Sequence, residues 1–359
     1  MGLSALPIAD ANPINGIVPS VVVLLVWLPY RARVRTLAQH RRPVPGWRQA
    51  CFAAGLITLA IALSAPVDSL ADQLLVAHMI EHLVIGDISA LLIVLGFTGP
   101  LLAPVLRVRW LAPLRAFAHP LVALPAWMIS FYVWHLPVLY QAALRHDLIH
   151  GLQHICFLAF GIAMWMALLG PLPKPAWFGN AARLGYIVVV RLAGTVLANV
   201  LIFSGTVLYP IYRLGDAKWH ISPMGDQIAA AGVMMVEESL LTIGLFCWLF
   251  LKVAREADER QQLLDAAAER GLELDERRAA RAVAAGRGHE LWERLTASGN
   301  APDAGSAPDA GNASDAGNAP ERLTPAGNAP DAGNAPERLT PAGNASERLA
   351  AGRPTPGDS

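Results

Sequence analysis

The chain has 359 residues, of which 54% are hydrophobic and 16% charged, and its formal net charge is zero. Soluble domains carry about 25% charged residues. The low charge and a mean hydropathy of +0.40 therefore argue against a soluble globular class and for a chain that crosses a bilayer repeatedly, and nothing in the charge balance suggests a nucleic acid as partner.

A spanning helix needs about 20 mostly apolar residues. Seven stretches qualify, roughly 14–30, 49–65, 74–98, 119–140, 150–170, 184–207 and 227–251. The pattern predicts an all-α polytopic helical bundle of about seven transmembrane helices, with residues 1–251 as the membrane domain. The first 15 residues lack the basic-then-apolar order of a cleaved signal, so the first apolar run is expected to stay as an anchor.

Orientation follows from the basic residues of the short loops. Arg31, Arg33, Arg35, Arg41, Arg42 and Arg48 crowd the first loop, Arg107, Arg109 and Arg115 the third, and Lys174 and Arg183 the fifth. Lys252, Arg255 and Arg260 follow the last span, and the alternate loops are poorer in basic residues. This places the N-terminus outside and the C-terminus in the cytoplasm, in a multi-pass protein of the cell (inner or plasma) membrane. Residues 252–298, rich in Ala, Glu, Arg and Leu, read as a charged cytoplasmic helical segment. Residues 299–359 are low complexity: the segment 317–326 recurs at 333–342, and its Pro, Gly, Asn and Ala content predicts a disordered repeat tail. Cys51, Cys156 and Cys247 are scattered in apolar stretches without a Cys-x-x-Cys pair and read as small buried side chains.

Chemistry concentrates where the third apolar run opens, at Ala77-His78-Met79-Ile80-Glu81-His82. On a helix, His78 and His82 share one face a turn apart, a spacing at which two imidazoles grip one metal ion. Ionisable groups inside an apolar span are costly and mark functional sites by default. The expected topology brings others to the same depth. His135 lies near the outer end of the fourth span, and His146, His150 and His154 lead into the fifth. His220 precedes the seventh, with Met224 and Asp226 close behind. One such histidine is ordinarily a solvated or hydrogen-bonded residue, and loop residues His146 and His220 fit that description. The set, on one face of the membrane, points to a metal or cofactor site. Neutral imidazoles suit copper, zinc, iron or nickel.

Further polar groups lie deeper. Asp87, nine residues from His78, is expected on the opposite helix face, there to pair with Arg191 or to join a proton path. Glu237 and Glu238 sit in the middle of the last span and need interior partners that sequence cannot name. Asn199 and Ser204 read as interhelical hydrogen-bonding groups.

An ordered set of motifs carries a family resemblance. His78-Met-x-x-His82 with Asp87, then Trp134-His135-Leu-Pro137, His150-x-x-x-His154, Leu208-Tyr-Pro210, Asp226-Gln227 and Gly232 resemble the polytopic CtaG family of cytochrome c oxidase assembly proteins, of the caa-type oxidase branch. The similarity spans roughly residues 48–252. It implies a seven-helix inner-membrane factor that assists maturation of the copper-containing oxidase, with oxidase subunits and the lipid bilayer as partners. It also implies functional positions at His78, His82, Asp87, His135, His150, His154 and Asp226. Reading and resemblance together give His78, His82, His135, His150, His154 and Asp226 as metal-site candidates, with Asp87, Glu81 and Glu238 as further intramembrane polar groups, no catalytic residue, and copper as the expected metal.

Three other readings remain open at this stage. His78-Met-Ile-Glu81-His82 fits His-x-x-Glu-His, in which a Glu acts as general base to a zinc-bound water in a hydrolase. Histidines at equal depth on neighbouring helices can ligate a haem for electron transfer. A copper permease would use the same histidines but needs ligands along the whole path.

Overall fold

In the computed structural model, residues 13–108, 116 and 118–298 are described, and all regular elements among them are helical. The repeat tail and the first 12 residues lie outside them. The chain divides into two compact units between Arg255 and Glu256.

The first unit begins with α1 (Pro13–Gln39) and α2 (Gly46–Ala62). Pro66 then forces a break, and the short α3 (Ala65–Ala71) leaves α2 at 55°. The expected span 49–65 is thus a bent pair.

The central rod follows as α4 (Leu75–Leu83), a π-helical segment (Val84–Ser89) and α5 (Ala90–Gly96). Together they form a continuous 22-residue span, Leu75–Gly96, about 33 Å long at 1.5 Å per residue and so matched to a hydrocarbon core of about 30 Å. α6 (Gly99–Arg107) closes this half.

α7 (Pro120–Trp134) and α8 (Pro137–Ala143) meet at a 77° bend where Pro137 starts a new helix, splitting the expected span 119–140. α9 (Asp147–Leu168) and α10 (Asn180–Phe203) are uninterrupted. A 3₁₀ turn (Pro210–Tyr212) and α11 (Arg213–Lys218) lead into α12 (Pro223–Glu269), which runs for 47 residues.

Among the described residues, four helices are long and apolar enough to cross a membrane, or up to six with each bent pair taken as one span. The difference from the expected seven rests on the first run, 14–30. It falls in α1, where the side chains up to Ser20 lie outside the described residues. Leu192, Val196, Val200 and Phe203 of α10 and Val236, Leu240 and Ile243 of α12 remain exposed, apolar surface suited to lipid.

Two apolar cores hold the membrane unit. Tyr30, Phe52 and Leu101 pack with Ile93 in one, where the Tyr30 and Phe52 rings stack at 3.7 Å. Arg48, early in α2, donates to the carbonyls of Leu95 (3.0 Å) and Phe97 (2.8 Å), satisfying the last carbonyls of α5. The larger core joins α4, α7, α9, α10 and α12 through residues such as Met79, Trp127, Met164, Leu201 and Met234.

The π segment is where the rod meets α9 most closely. A Cβ on Gly161 would lie 2.1 Å from the Gly86 carbonyl oxygen, so only glycine fits. In the second unit, Leu263 and Ala267 of α12 pack with Val283 of α13 (Glu276–Ala284) and with Leu291 and Leu295 of α14 (Gly288–Ser298).

Gly161→Ala must push α9 from the π segment. It is expected to cost about 1–3 kcal/mol, read as a lowered thermal midpoint in detergent, whereas alanine at Gly151, with open space around it, should leave the midpoint unchanged.

Candidate functional site

The helical period puts His78 and His82 on one face of α4, both buried, with ring centroids 4.2 Å apart. α9 lays His150 and His154 beside them, 4.3 Å apart. His78 faces His150 at 5.2 Å and His82 faces His154 at 5.5 Å. The four imidazoles therefore form a quadrilateral.

Among the described residues, two sets of donor atoms each have members within 4.8 Å of one another, one from His78, His82 and His150 and the other from Glu81, His150 and His154. Glu81 is fully buried, and its Oε1 is 3.6 Å from His154 Nε2. Among the described residues, neither ring nitrogen of His78 or His82, neither oxygen of Glu81, and neither Nε2 of His150 or His154 has a hydrogen-bond partner.

Buried polar atoms are nearly always paired, and each orphan costs on the order of 1–3 kcal/mol. So many together could hold a metal ion, whose coordination would offset that cost. The walls are aromatic. Tyr140 and Tyr212 share a hydrogen bond of 3.1 Å, Tyr140 lies 5.0 Å from the His78 ring, and Phe157 lies 4.5 Å from the His82 ring. Gln153 on α9 is also fully buried, with both amide atoms unpartnered.

His135 sits apart from both donor sets. Its Nδ1 is 2.7 Å from the Phe131 carbonyl oxygen, an N–H donating to that acceptor, which leaves Nε2 without a partner. With His82 and Asp87 it lines a cavity of about 20 Å³, large enough for one water molecule.

Asp226 is not in either set. Its Oδ2 accepts from the amide of Leu75 at 2.6 Å and its Oδ1 from that of Val76 at 3.0 Å. A carboxylate on the first amides of α4 caps the helix and complements its dipole, so Asp226 positions the histidine pair from across the chain. Gln227 clamps the next layer, donating to Leu201 O (2.8 Å) and Ser204 Oγ (3.0 Å) and accepting from Leu208 N (2.8 Å). His146 and His220 are exposed.

The deeper carboxylates form a second polar group. Asp87, Arg191, Glu237 and Glu238 line a cavity of about 40 Å³. Arg191 donates to Glu238 Oε2 at 2.7 Å and to the Met235 carbonyl at 3.3 Å, so the expected pairing of Arg191 with Asp87 is corrected to Glu238. Glu238 Oε1 occupies the space a Cβ at Gly194 would take, so a larger residue there would make the Glu238 carboxylate move. Asp87 is also less remote than an ideal helix implies. It lines the same small cavity as His82, on a rod whose register the π segment shifts.

Sequence reasoning missed the approach of Glu81 to His154 and the structural use of Asp226 and Gln227. The first had a signal, since Glu81 shares its short motif with His78 and His82. The second had none, because its partners lie about 150 and 20 residues away.

A family model described as cytochrome c oxidase caa3 assembly factor matches residues 24–256, most of the chain. Two curated relatives, an uncharacterized protein of Mycobacterium bovis and one of Mycobacterium tuberculosis, are each 24% identical over 244 residues, covering 63% of this chain. The matched region is 37% of the length of each relative. No solved structure matches.

Asp226→Asn keeps one acceptor and loses the charge. It is expected to lower the thermal midpoint by an amount equivalent to about 0.5–2 kcal/mol while leaving metal stoichiometry unchanged; loss of metal at unchanged stability would make Asp226 a ligand instead. Asp216, outside the apolar spans, is buried beside Asp226. Burial, then the hydrogen bond to and charge of the Asp226 carboxyl, push its carboxyl from 3.8 up to about 6. The folded state then holds this proton more tightly than the unfolded chain, so Asp216 favours folding more as pH falls through about 6 towards 4. Thermal unfolding from pH 7.5 to pH 5 should show this gain in the wild type and a flatter profile in Asp216→Asn.

Proposed function

Because the chain belongs to the family of cytochrome c oxidase caa3 assembly factors, we propose that it serves oxidase biogenesis by holding a copper ion, as cargo, at the cluster of His78, His82 and His150. The observation that carries this reading is the buried quadrilateral of four imidazoles with orphaned ring nitrogens. Neutral imidazole is a good copper ligand, and here the rings sit in an apolar interior that favours their neutral, ligating form. His154 stands at the edge of the cluster.

The role is one of binding and transfer. The imidazoles hold the ion, Asp226 and the aromatic walls fix their positions, and His150, less buried than His78 and His82, is the ligand through which a partner's donor atoms can enter and replace them. The ring spacings of 4.2–5.5 Å leave no room for a macrocycle between the histidines, which favours a metal ion over haem.

In this reading the protein spans the cell (inner or plasma) membrane seven times. The N-terminus is outside, the arginine-rich first loop is cytoplasmic, and the cluster lies towards the outer face. The partner is an oxidase subunit at that face. Residues 252–298 and the repeat tail lie in the cytoplasm.

Copper analysis of the purified protein tests the site. One copper per chain is expected in the wild type and none in His78→Ala/His82→Ala, with unchanged thermal stability in detergent; copper retained by the double variant overturns the assignment. Cysteines placed at exposed Ser69 and Leu214 test the topology. Both should react with a membrane-impermeant maleimide in intact cells, and labelling only after lysis would place the cluster at the cytoplasmic face.

A further inference from the structure

The two donor sets are not equivalent, and they share a residue. His78, His82 and His150 form an all-imidazole triad, while Glu81, His150 and His154 form a triad that includes a carboxylate. His150 belongs to both. We infer that the site has two alternative positions for one ion, joined by His150, and that Glu81 makes the second position a harder one. This rests on the metal-holding reading above and extends it to a two-step path.

Glu81 is fully buried, and both its oxygens lack hydrogen-bond partners. It sits on α4 between His78 and His82 but approaches His154 of α9, at 3.6 Å, on the far corner of the quadrilateral. A carboxylate buried without a donor is among the most expensive groups a protein can carry. Among the described residues no Lys or Arg pairs with it, and its one ion-pair contact is His154. The charged groups that act on it are Asp68 and Asp72, which are themselves acidic. A metal cation between Glu81 and the imidazoles of His150 and His154 would give the carboxyl group a permanent partner, which no Lys or Arg among the described residues supplies.

The positions also differ in access. His78 and His82 are 0% and 5% exposed, whereas the side chain of His154 is 12% exposed and His150 is likewise only half-buried. Asp68 and Asp147 are the charged neighbours of His150. Negative charge therefore gathers on the side of the carboxylate triad, where it raises the local concentration of cations.

The ligand atoms of each set lie within 4.8 Å of one another, and the two sets share His150. Two cations held on one shared imidazole, with a single carboxylate among them, would repel strongly, so the positions are occupied in turn. The ion keeps His150 as a ligand while it exchanges Glu81 and His154 for His78 and His82.

Ligand type assigns a preference to each. A carboxylate stabilises a divalent ion more than a monovalent one, through charge and hardness, whereas neutral imidazoles alone suffice for Cu(I). Cu(I) is expected at the His78–His82–His150 position and Zn(II), as a redox-inert divalent probe, at the Glu81–His150–His154 position.

The test is competitive titration of the full-length protein in detergent, with Cu(I) and with Zn(II) separately, each against a chromophoric chelator. Glu81→Gln and, independently, His154→Gln should weaken Zn(II) by about tenfold or more and leave Cu(I) within about threefold, given that even outer-shell changes cost about 10–100-fold in metal affinity. His82→Gln should show the reverse, and His150→Gln should weaken both. Thermal midpoints confirm that each variant folds, and His154→Gln covers the case in which Glu81→Gln does not. If every variant weakens the two ions in parallel, a single position exists and the inference is overturned while the copper site stands. If the wild type binds neither ion, the proposed function itself fails.

Discussion

A carboxylate on two backbone amides sets the geometry on which the site depends. Asp226, at the start of the long α12, accepts from the first amides of α4, 151 and 150 residues earlier in the chain. Inside a membrane, free helix ends have no water to satisfy them, so the start of α4 is held at a defined depth and azimuth by α12. His78 and His82 follow within two turns, and their placement against α9 depends on that cap. The Gly86–Gly161 approach holds the same two helices together below the site. Between these two fixed points lie all four imidazoles.

The interior holds two polar layers that meet at Asp87. The upper layer consists of histidines and Glu81 in an aromatic box; the lower consists of Asp87, Glu237 and the Arg191–Glu238 ion pair. Asp87 lines both the small cavity shared with His82 and the larger one shared with Arg191. Intramembrane ionisable groups persist only where they are paired or face a cavity, and each layer meets that condition differently. In the lower layer Arg191 pairs with Glu238, while both oxygens of Glu237 stay without a hydrogen-bond partner among the described residues. In the upper layer no Lys or Arg among the described residues pairs with Glu81, and the proposed copper ion would complete it.

Much of this was legible in the sequence, and the unreadable parts have physical causes. The i, i+4 spacing of His78 and His82 and of His150 and His154 marked two helix faces, and the structure brings those faces together. The family resemblance drawn from the same residues agrees with the family match. Hydropathy located the apolar runs but not their bends. The 77° turn at Pro137 lies inside an unbroken apolar stretch, and only the proline hinted at it. The π segment has no signature in composition, yet it brings Asp87 to the cavity that His82 lines. Asp226, three residues into a helix and close to His220, looked like a ligand because a cap for a distant helix cannot be told from a ligand by local spacing. The pairing of Arg191 with Glu238 rather than Asp87 joins residues 47 apart in the chain, a contact that appears only once α10 and α12 are placed together.

X-ray absorption of the copper-loaded protein decides whether the imidazoles on α4 and α9 are copper ligands. Copper held there should show a shell of nitrogen and oxygen with the outer-shell scattering of several imidazoles and no sulfur. A sulfur shell from methionine or cysteine, or copper without imidazole scattering, would rule out the histidine site.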